Sequence, residues 1–231
     1  MAEELDYIDF DDPAPLLPLD SDEDVKQGTK QWFFDRCGCI SASKMSGMLA
    51  QGGGLTRKKY LYNLATERLT GKPLPQGYKS KDMEDGTKLE PEGRELYSFY
   101  HQEIEEVGFK RHPTIPNFGA SPDGMSLCRK GGLELKKRNL VTHYDLIFNP
   151  KPPRTAMLQM YAQMSCWGFD YVDYGSYNVD RDDDGELILP SYLRLVVVRI
   201  ERNQQEIDVI EREVKKFDAE INELVKKLRK Y

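Results

Sequence analysis

The sequence predicts an α/β domain, with a central mixed β-sheet flanked by helices and a further helix at the C-terminus; an α+β arrangement of the same elements is the alternative. Two observations carry this prediction. Up to about residue 102 the apolar residues recur at helical spacing, whereas from residue 103 they fall in short runs bounded by Gly, Pro or Asn that read as strands. One Met- and Ala-rich helix, "TAMLQMYAQMSCWGF", then interrupts the strands and ends at Gly168. Helices and strands in that order describe a sheet with helices packed on it.

The elements follow in order. Residues 1–25 hold ten acidic residues and no basic one. The chain has a net charge of −6, so the remainder, with 33 basic against 29 acidic residues, is a body of net +4. Blocks of like charge are usually solvated tails; the alternative is an arm that mimics nucleic acid or contacts a basic partner, anchored by Tyr7, Ile8, Phe10, Leu16 and Leu17. "TKQWFFDRCGCISASKMSGML" predicts two short helices joined at a Gly, the second capped by Ser41 or Ser43. After a "GGG" turn at 52–54, "LTRKKYLYNLATERLTGKPLP" reads as an amphipathic helix with Tyr60, Leu64 and Leu69 on one face and Gly71 near its C-cap.

A basic loop with Lys79 and Lys81 leads to a second long helix, "GTKLEPEGRELYSFYHQ". The strand-like runs are "IEEVGF", "NFGASPDGMSL", "GGLELKKR", "FDYVDYGSYNV" and "YLRLVVVRI". From residue 203, Ile207, Ile210, Val214, Phe217, Ile221, Leu224 and Leu228 recur at alternating spacings of three and four. That seam packs on the domain's own core or serves a subunit contact. The expected division is an acidic arm over 1–25, a domain over 26–202 and a C-terminal helix over 203–231.

Composition narrows the class. Hydrophobic residues make up 39% and charged residues 31%, and no apolar run approaches the roughly 20 residues that cross a bilayer. No membrane association is expected. The N-terminus shows no basic stretch followed by an apolar one, so no secretory signal is read there. Cys37, Cys39, Cys128 and Cys166 are too scattered for a disulfide framework, and reduced thiols in a cytoplasm are expected.

Chemistry concentrates in residues 121–138, "SPDGMSLCRKGGLELKKR". Side chains alternate along a strand, so Glu134 and Lys136 share one face while Leu133, Leu135 and Lys137 take the other. A hairpin pairing 124–128 with 132–137 through "RKGG" brings Asp123 alongside that face. Two carboxylates with the Leu135 carbonyl nearby offer hard oxygen ligands for a Mg²⁺-type ion. Lys136 there orients or helps deprotonate an attacking water, or stabilises charge developing on a phosphate. A solvated turn explains the same charges, and an Asp followed by Glu-x-Lys is a weak pattern when it stands alone.

It does not stand alone. "SPDG…LELK" resembles the hairpin signature of the restriction-endonuclease-like, PD-(D/E)XK nucleases, and within them the lambda exonuclease or YqaJ-type viral recombinase family. Upstream, "QWFFDRCGCISASKMSGML" resembles that family's opening helix and its R-x-G-x-I-T/S-A-S element. "GTKLEPEGRELYSFY" resembles its glutamate-bearing helix, and "LQMYAQM" its glutamine-bearing helix. The likeness spans roughly residues 29–200 in the same order.

The resemblance implies that Asp123 and Glu134 ligate metal, with the Leu135 carbonyl, and that Lys136 is the catalytic lysine. It implies that Glu90 helps hold water or a second ion, with Glu92 as the fallback because Pro91 blurs the register. Gln159 matches the glutamine near the active site, and Arg36, Ser43 and Ser121 match positions that grip the substrate's 5′-terminal phosphate. Departures are also visible. Tyr161 stands where the second glutamine of a Gln-x-Gln motif is expected, and the basic residue after the lysine strand is Lys137, Arg138 or His143. The Asp123–Glu134 interval is one residue longer than in the phage enzyme.

The activity implied is a Mg²⁺-dependent exonuclease, with Mn²⁺ as a substitute and two ions per site. It degrades one strand of linear duplex DNA from the 5′ end to mononucleotides and leaves a 3′ overhang. The implied partners are double-stranded DNA ends, two further copies in a homotrimeric ring, and a single-strand annealing protein; the implied setting is a bacterial cytoplasm, with the chain bacterial or phage-encoded. Basic residues in "TRKKY", "GYKSK" and "KKR" would line the ring's channel. Rival readings are another nuclease of the fold, such as a RecB-like or endonuclease relative, and a non-catalytic DNA-binding relative. The cysteines lack the spacing of an iron–sulfur cluster, and intact Asp123, Glu134 and Lys136 argue against a degenerate site.

Overall fold

Helix formation begins at Thr29, whose hydroxyl accepts a hydrogen bond from the Trp32 amide at 3.3 Å and so caps the first orphan N–H groups. The structure is a computed structural model and describes residues 26–50, 54–75 and 81–231. The acidic arm, Gly52, Gly53 and Lys79 lie outside the described residues. After α1 (Lys30–Asp35) come β1 (Ile40–Ser41), a 3₁₀ turn over Ala42–Lys44 and α2 (Met45–Met48). Ser41 occupies the N-cap position of that turn but makes no capping bond with its side chain, which is engaged elsewhere.

Helix α3 (Leu55–Thr70) ends where its sequence predicts. Gly71 adopts φ +63°, a left-handed conformation that costs a glycine little, and its amide returns to the Glu67 carbonyl at 2.8 Å. Helix α4 (Lys81–Tyr100) starts earlier than its apolar periodicity indicates and runs through Pro91. The strands are β2 (Ile104–Glu105), β3 (Lys110–Arg111), β4 (Phe118–Ala120), β5 (Gly124–Ser126), β6 (Gly131–Lys137), β7 (Tyr171–Tyr177) and β8 (Leu195–Glu201). Between β6 and β7 lie two helices, not one: α5 (Leu140–Phe148) and α6 (Arg154–Trp167). Asn139 caps α5 by accepting from the Thr142 amide at 3.0 Å. Helix α7 (Gln204–Leu228) closes the chain.

The strands form two sheets. A small one has the order β1-β4-β3, and the main one has the order β2-β5-β6-β7-β8. In the main sheet β5–β6 and β7–β8 are antiparallel while β6–β7 is parallel, so the sheet is mixed and β6 is its centre. The parallel pair needs a long crossover, which α5 and α6 supply. The hairpin differs from its sequence reading at the turn: β5 ends at Ser126 rather than at residue 128, and β6 already includes Gly131 and Gly132 of the expected turn. A Cβ on Gly131 would sit 2.2 Å from the Tyr171 ring, and one on Gly132 would sit 2.7 Å from the Phe169 ring. These glycines let β7 and its approach close on β6.

Each face of the main sheet has its own cover. Helices α6 and α7 pack with Val172 and Tyr174 on one face; Tyr97 of α4 packs with Leu133, Leu135 and Tyr177 on the other. Ile207, Ile210, Val214, Phe217, Ile221 and Val225 of α7 are buried, so the apolar seam is used within the chain; Leu228, at the end of it, is 43% exposed. Tyr97 further pins α4 to the sheet: its hydroxyl donates to Asp173 at 2.6 Å, and Arg199 meets the same carboxylate with two bonds of 2.8 Å. Among the described residues no helix is long and apolar enough to cross a membrane.

Candidate active site

The hairpin clips Asp123 onto the central strand. Its amide donates to the Leu133 carbonyl at 2.9 Å, and its Oδ2 accepts from the Leu135 amide at 2.7 Å. Register pairs Gly124 with Leu133, which sets Asp123 opposite Glu134. Because peptide groups alternate in direction along a strand, the Leu135 carbonyl, like its amide, faces the β5 edge and not β7. Exposure then grades outward, from Glu134 at 0% and Asp123 at 9% to the Lys136 side chain at 36%. Lys136 Nζ forms an ion pair with Glu134 Oε1.

Helix α6 holds the same carboxylate from above the sheet. Gln159 Nε2 donates to Glu134 Oε1 at 2.7 Å and Gln163 Nε2 donates to Oε2 at 2.5 Å. Sequence reasoning named Gln159 and missed Gln163. The signal was present: residues four apart share a helix face, and a glutamine on a helix whose neighbours Met160, Ala162 and Met164 are all buried needs a polar partner.

Helix α4 completes the charge cluster and decides between two glutamates. Glu90 pairs with Arg94 one turn on, and interacts electrostatically with Lys136 and Glu134. Glu92 turns away to Arg181 at 3.7 Å. Arg94 also reaches Glu106 at 3.4 Å. Burial, then the negative charges of Glu134 and Glu90, push the Asp123 carboxyl well above the usual range against the pull of Lys136 and the Leu135 amide. Burial also raises Glu90, with Arg94 opposing and Glu134 adding to it. For Lys136 burial disfavours the ammonium, but Glu134 and Asp123 outweigh it and its pKa is raised.

This donor set suits a hard divalent cation. Three carboxylates face two cations, and the buried pair Asp123–Glu134 carries like charges in a low-dielectric place. Among the described residues no group of three or more His, Cys, Asp or Glu is gathered to hold a metal. Side chains alone therefore do not build a full shell. Two carboxylates, the Leu135 carbonyl and solvent are the kind of set Mg²⁺ accepts, since it keeps several waters.

A second cluster adjoins the first through the chain. Arg36 Nη2 donates to Ser41 Oγ at 2.9 Å, Ser41 Oγ lies 3.1 Å from Ser43 Oγ, and Trp32 Nε1 donates to Ser121 Oγ at 2.9 Å. The Arg36 guanidinium sits 4.0 Å over the Trp32 ring and 5.8 Å from that of Phe109. Arg36, Ser43 and Ser121 thus meet around Trp32 and Ser41, two residues that the sequence did not assign to this group. Ser121 is two positions from Asp123, so the two clusters are neighbours. Gln27 braces the junction, with Nε2 2.7 Å from the Pro122 carbonyl and 3.3 Å from that of Val107.

The three basic residues that follow the lysine strand take different places. Lys137 pairs with Asp180 at 2.8 Å, and His143 is buried between Ser176 Oγ at 2.8 Å and the Leu193 carbonyl at 2.6 Å. Arg138 follows Glu134 and Lys136 on the same face of the chain, and donates to the Tyr174 hydroxyl at 3.0 and 3.3 Å.

A family model described as a YqaJ-like viral recombinase domain matches residues 31–170. The chain belongs to this family. An alkaline exonuclease from Laribacter hongkongensis is 34% identical, with a TM-score of 0.76 over 87% of this chain and 97% of that one. The same enzyme in complex with dAMP matches at 35% identity over the same shares, again with a TM-score of 0.76. A phage related exonuclease from Haemophilus somnus shares the fold at 17% identity and a TM-score of 0.65, over 82% of this chain and 96% of that one. No curated protein matches. Family membership and the Laribacter relative support a nuclease function for the chain, and every residue of both clusters except Gln27 falls within the matched segment.

Proposed function

We propose that the chain is a Mg²⁺-dependent exonuclease that degrades one strand of linear duplex DNA from its 5′ end to mononucleotides, leaving a 3′ overhang for strand annealing. The observation that carries this reading is the adjacency of the two clusters: a carboxylate–lysine hairpin and an arginine–serine group, joined by residues 121–123. Asp123, Glu134 and the Leu135 carbonyl would hold the ion, and a second ion would draw on Glu90. When bound, such an ion, Mg²⁺ or Mn²⁺, neutralises phosphate charge and acidifies water.

The chain's own residues supply the rest. Gln159 fixes the Glu134 carboxylate, and Lys136 presents a cation beside it to the phosphate that gains charge in the transition state. Arg36, positioned by Trp32 and Ser41, binds the terminal 5′-phosphate together with Ser43 and Ser121, in a geometry where guanidinium donors suit phosphate oxygens. Anchoring that phosphate sets which ester reaches Asp123, and so favours release of one nucleotide at a time. The Laribacter relative's complex with dAMP, a mononucleotide, supports this product. Arg138 extends the cationic row along the strand leaving the site. A homotrimeric ring threaded by DNA, acting with a single-strand annealing protein, belongs to the same proposal; a body of net +4 suits a channel that retains DNA by enclosure more than by charge.

The test is digestion of linear duplex DNA with Mg²⁺, comparing 5′-phosphorylated with 5′-hydroxyl ends, for the native chain, Asp123→Ala and Lys136→Ala. Digestion of the phosphorylated end is expected, and either substitution abolishes it. Equal digestion of closed circular DNA would overturn the exonuclease reading, and full activity in Asp123→Ala would overturn the site.

A further inference from the structure

Gln163 is fully buried and its amide has one hydrogen-bonded end. Nε2 donates to Glu134 Oε2 at 2.5 Å, while Oε1 has no partner among the described residues. The orientation is imposed by the carboxylate: turning the amide over would set Oε1 against Glu134 Oε2, two acceptors face to face. A buried acceptor left without a donor is destabilising, and at a buried position on α6 an apolar side chain would avoid that cost. The position therefore accepts a local loss in order to place a donor on Glu134.

What the donor adds follows from the geometry. Gln159, one helical turn earlier, occupies Oε1, and Lys136 occupies Oε1 as well. With Gln159 alone, Oε2 would be unrestrained and the carboxylate plane could swing about its last torsion. A donor on each oxygen, both from one rigid helix, fixes that plane. A Gln-x-Gln spacing would turn its second glutamine about 200° around the helix; the four-residue spacing in this chain brings it back to the same face.

We propose that Gln163 is a positioning residue, which with Gln159 clamps both oxygens of Glu134 and so sets the direction in which that carboxylate meets a divalent cation. The inference rests on the reading of Asp123 and Glu134 as cation ligands given above. Partners that orient metal ligands typically change metal affinity or activity by about 10–100-fold when removed.

The experiment uses Gln163→Leu in the full chain. Mn²⁺ is titrated into the metal-free protein by calorimetry, kcat and KM are measured on 5′-phosphorylated linear duplex, and melting is followed in parallel. Expected are a Mn²⁺ dissociation constant raised at least about tenfold, a kcat lowered at least about tenfold, and a KM for DNA unchanged within about twofold. A well-folded variant with native Mn²⁺ affinity and native kcat overturns the clamp. Gln163→Met repeats the measurement if leucine is not accommodated; loss of folding in both variants assigns the residue to stability and overturns the proposal too. If the native chain neither binds Mn²⁺ nor cuts DNA, the site reading and the clamp both fall. If it does both and the variant matches it, only the clamp falls.

Discussion

Asp123→Asn should stabilise the metal-free protein while destroying its activity. The carboxylate is buried, faces Glu134 and Glu90, and receives one backbone hydrogen bond, from Leu135. Its pKa is raised, first by burial and then by those two like charges. A carboxyl raised in the folded state holds its proton more tightly there than in the unfolded chain. Its stabilising contribution is present at low pH and is lost as pH rises through the folded value. Each unit of such a shift corresponds to about 1.4 kcal/mol carried by the ionised form. An asparagine keeps an acceptor for Leu135 and removes the charge, and a gain on the order of 1–2 kcal/mol raises Tm by roughly 2–8 °C in a chain of this size. The assay is scanning calorimetry in excess chelator at several pH values. The native Tm should climb as pH falls from neutrality towards the carboxylate range, and Asp123→Asn should melt higher at neutral pH with a flatter dependence. A variant that melts below the native chain at neutral pH, or that follows the same pH dependence, refutes the assigned repulsion.

Other substitutions separate the parts of the site. Lys136→Met should lower kcat by about 10²–10³-fold with little change in KM, measured by nucleotide release at saturating DNA. Arg36→Ala should weaken binding of 5′-phosphorylated ends by about 10–150-fold, the range of a charged hydrogen bond, and erase the preference over 5′-hydroxyl ends. Tyr97→Phe should leave the chemistry in place but remove the hydroxyl that donates to Asp173 and accepts from Gln102 at 2.9 Å. A loss of roughly 1.5–3 kcal/mol is expected, read as a Tm lower by about 3–12 °C.

What was legible in the sequence follows the range of each interaction. Strand period is local, so the shared face of Glu134 and Lys136 could be read directly, and a hairpin spans few residues, so Asp123 could be placed beside them. The seam of α7 was legible for the same reason. Helix α5 was not, because "LVTHYDLIF" mixes β-branched, aromatic and polar residues without a clear period, and its best marker is the single cap Asn139. Gly131 and Gly132 looked like turn residues because glycine is common in turns; their real constraint, the Tyr171 and Phe169 rings, lies some 40 positions away in the chain. The choice between Glu90 and Glu92 depended on helix phase, which Pro91 obscured and the partners Arg94 and Arg181 decide. Ser41 was one of two serines read as a helix cap, yet its hydroxyl accepts from Arg36.

The site stands on an interior strand of the main sheet. Strand β6 is paired on both sides, so its backbone is held along its length by β5 and β7. Its alternation sends Leu133 and Leu135 into the α4 side of the core while Glu134 and Lys136 project to α6. Each fully buried leucine contributes about 1.5–3 kcal/mol, enough to offset the repulsion that Asp123 and Glu134 impose on the other face. On an edge strand the same charges would be solvated, the raised Asp123 carboxyl would relax, and the carboxylates would lose both fixed direction and mutual repulsion. On the proposed reading it is the repulsion that would give a divalent cation its advantage there, because a cation would relieve what the fold tolerates. On that reading catalytic readiness and local instability in this hairpin are one property, which is why Asp123→Asn should remove both.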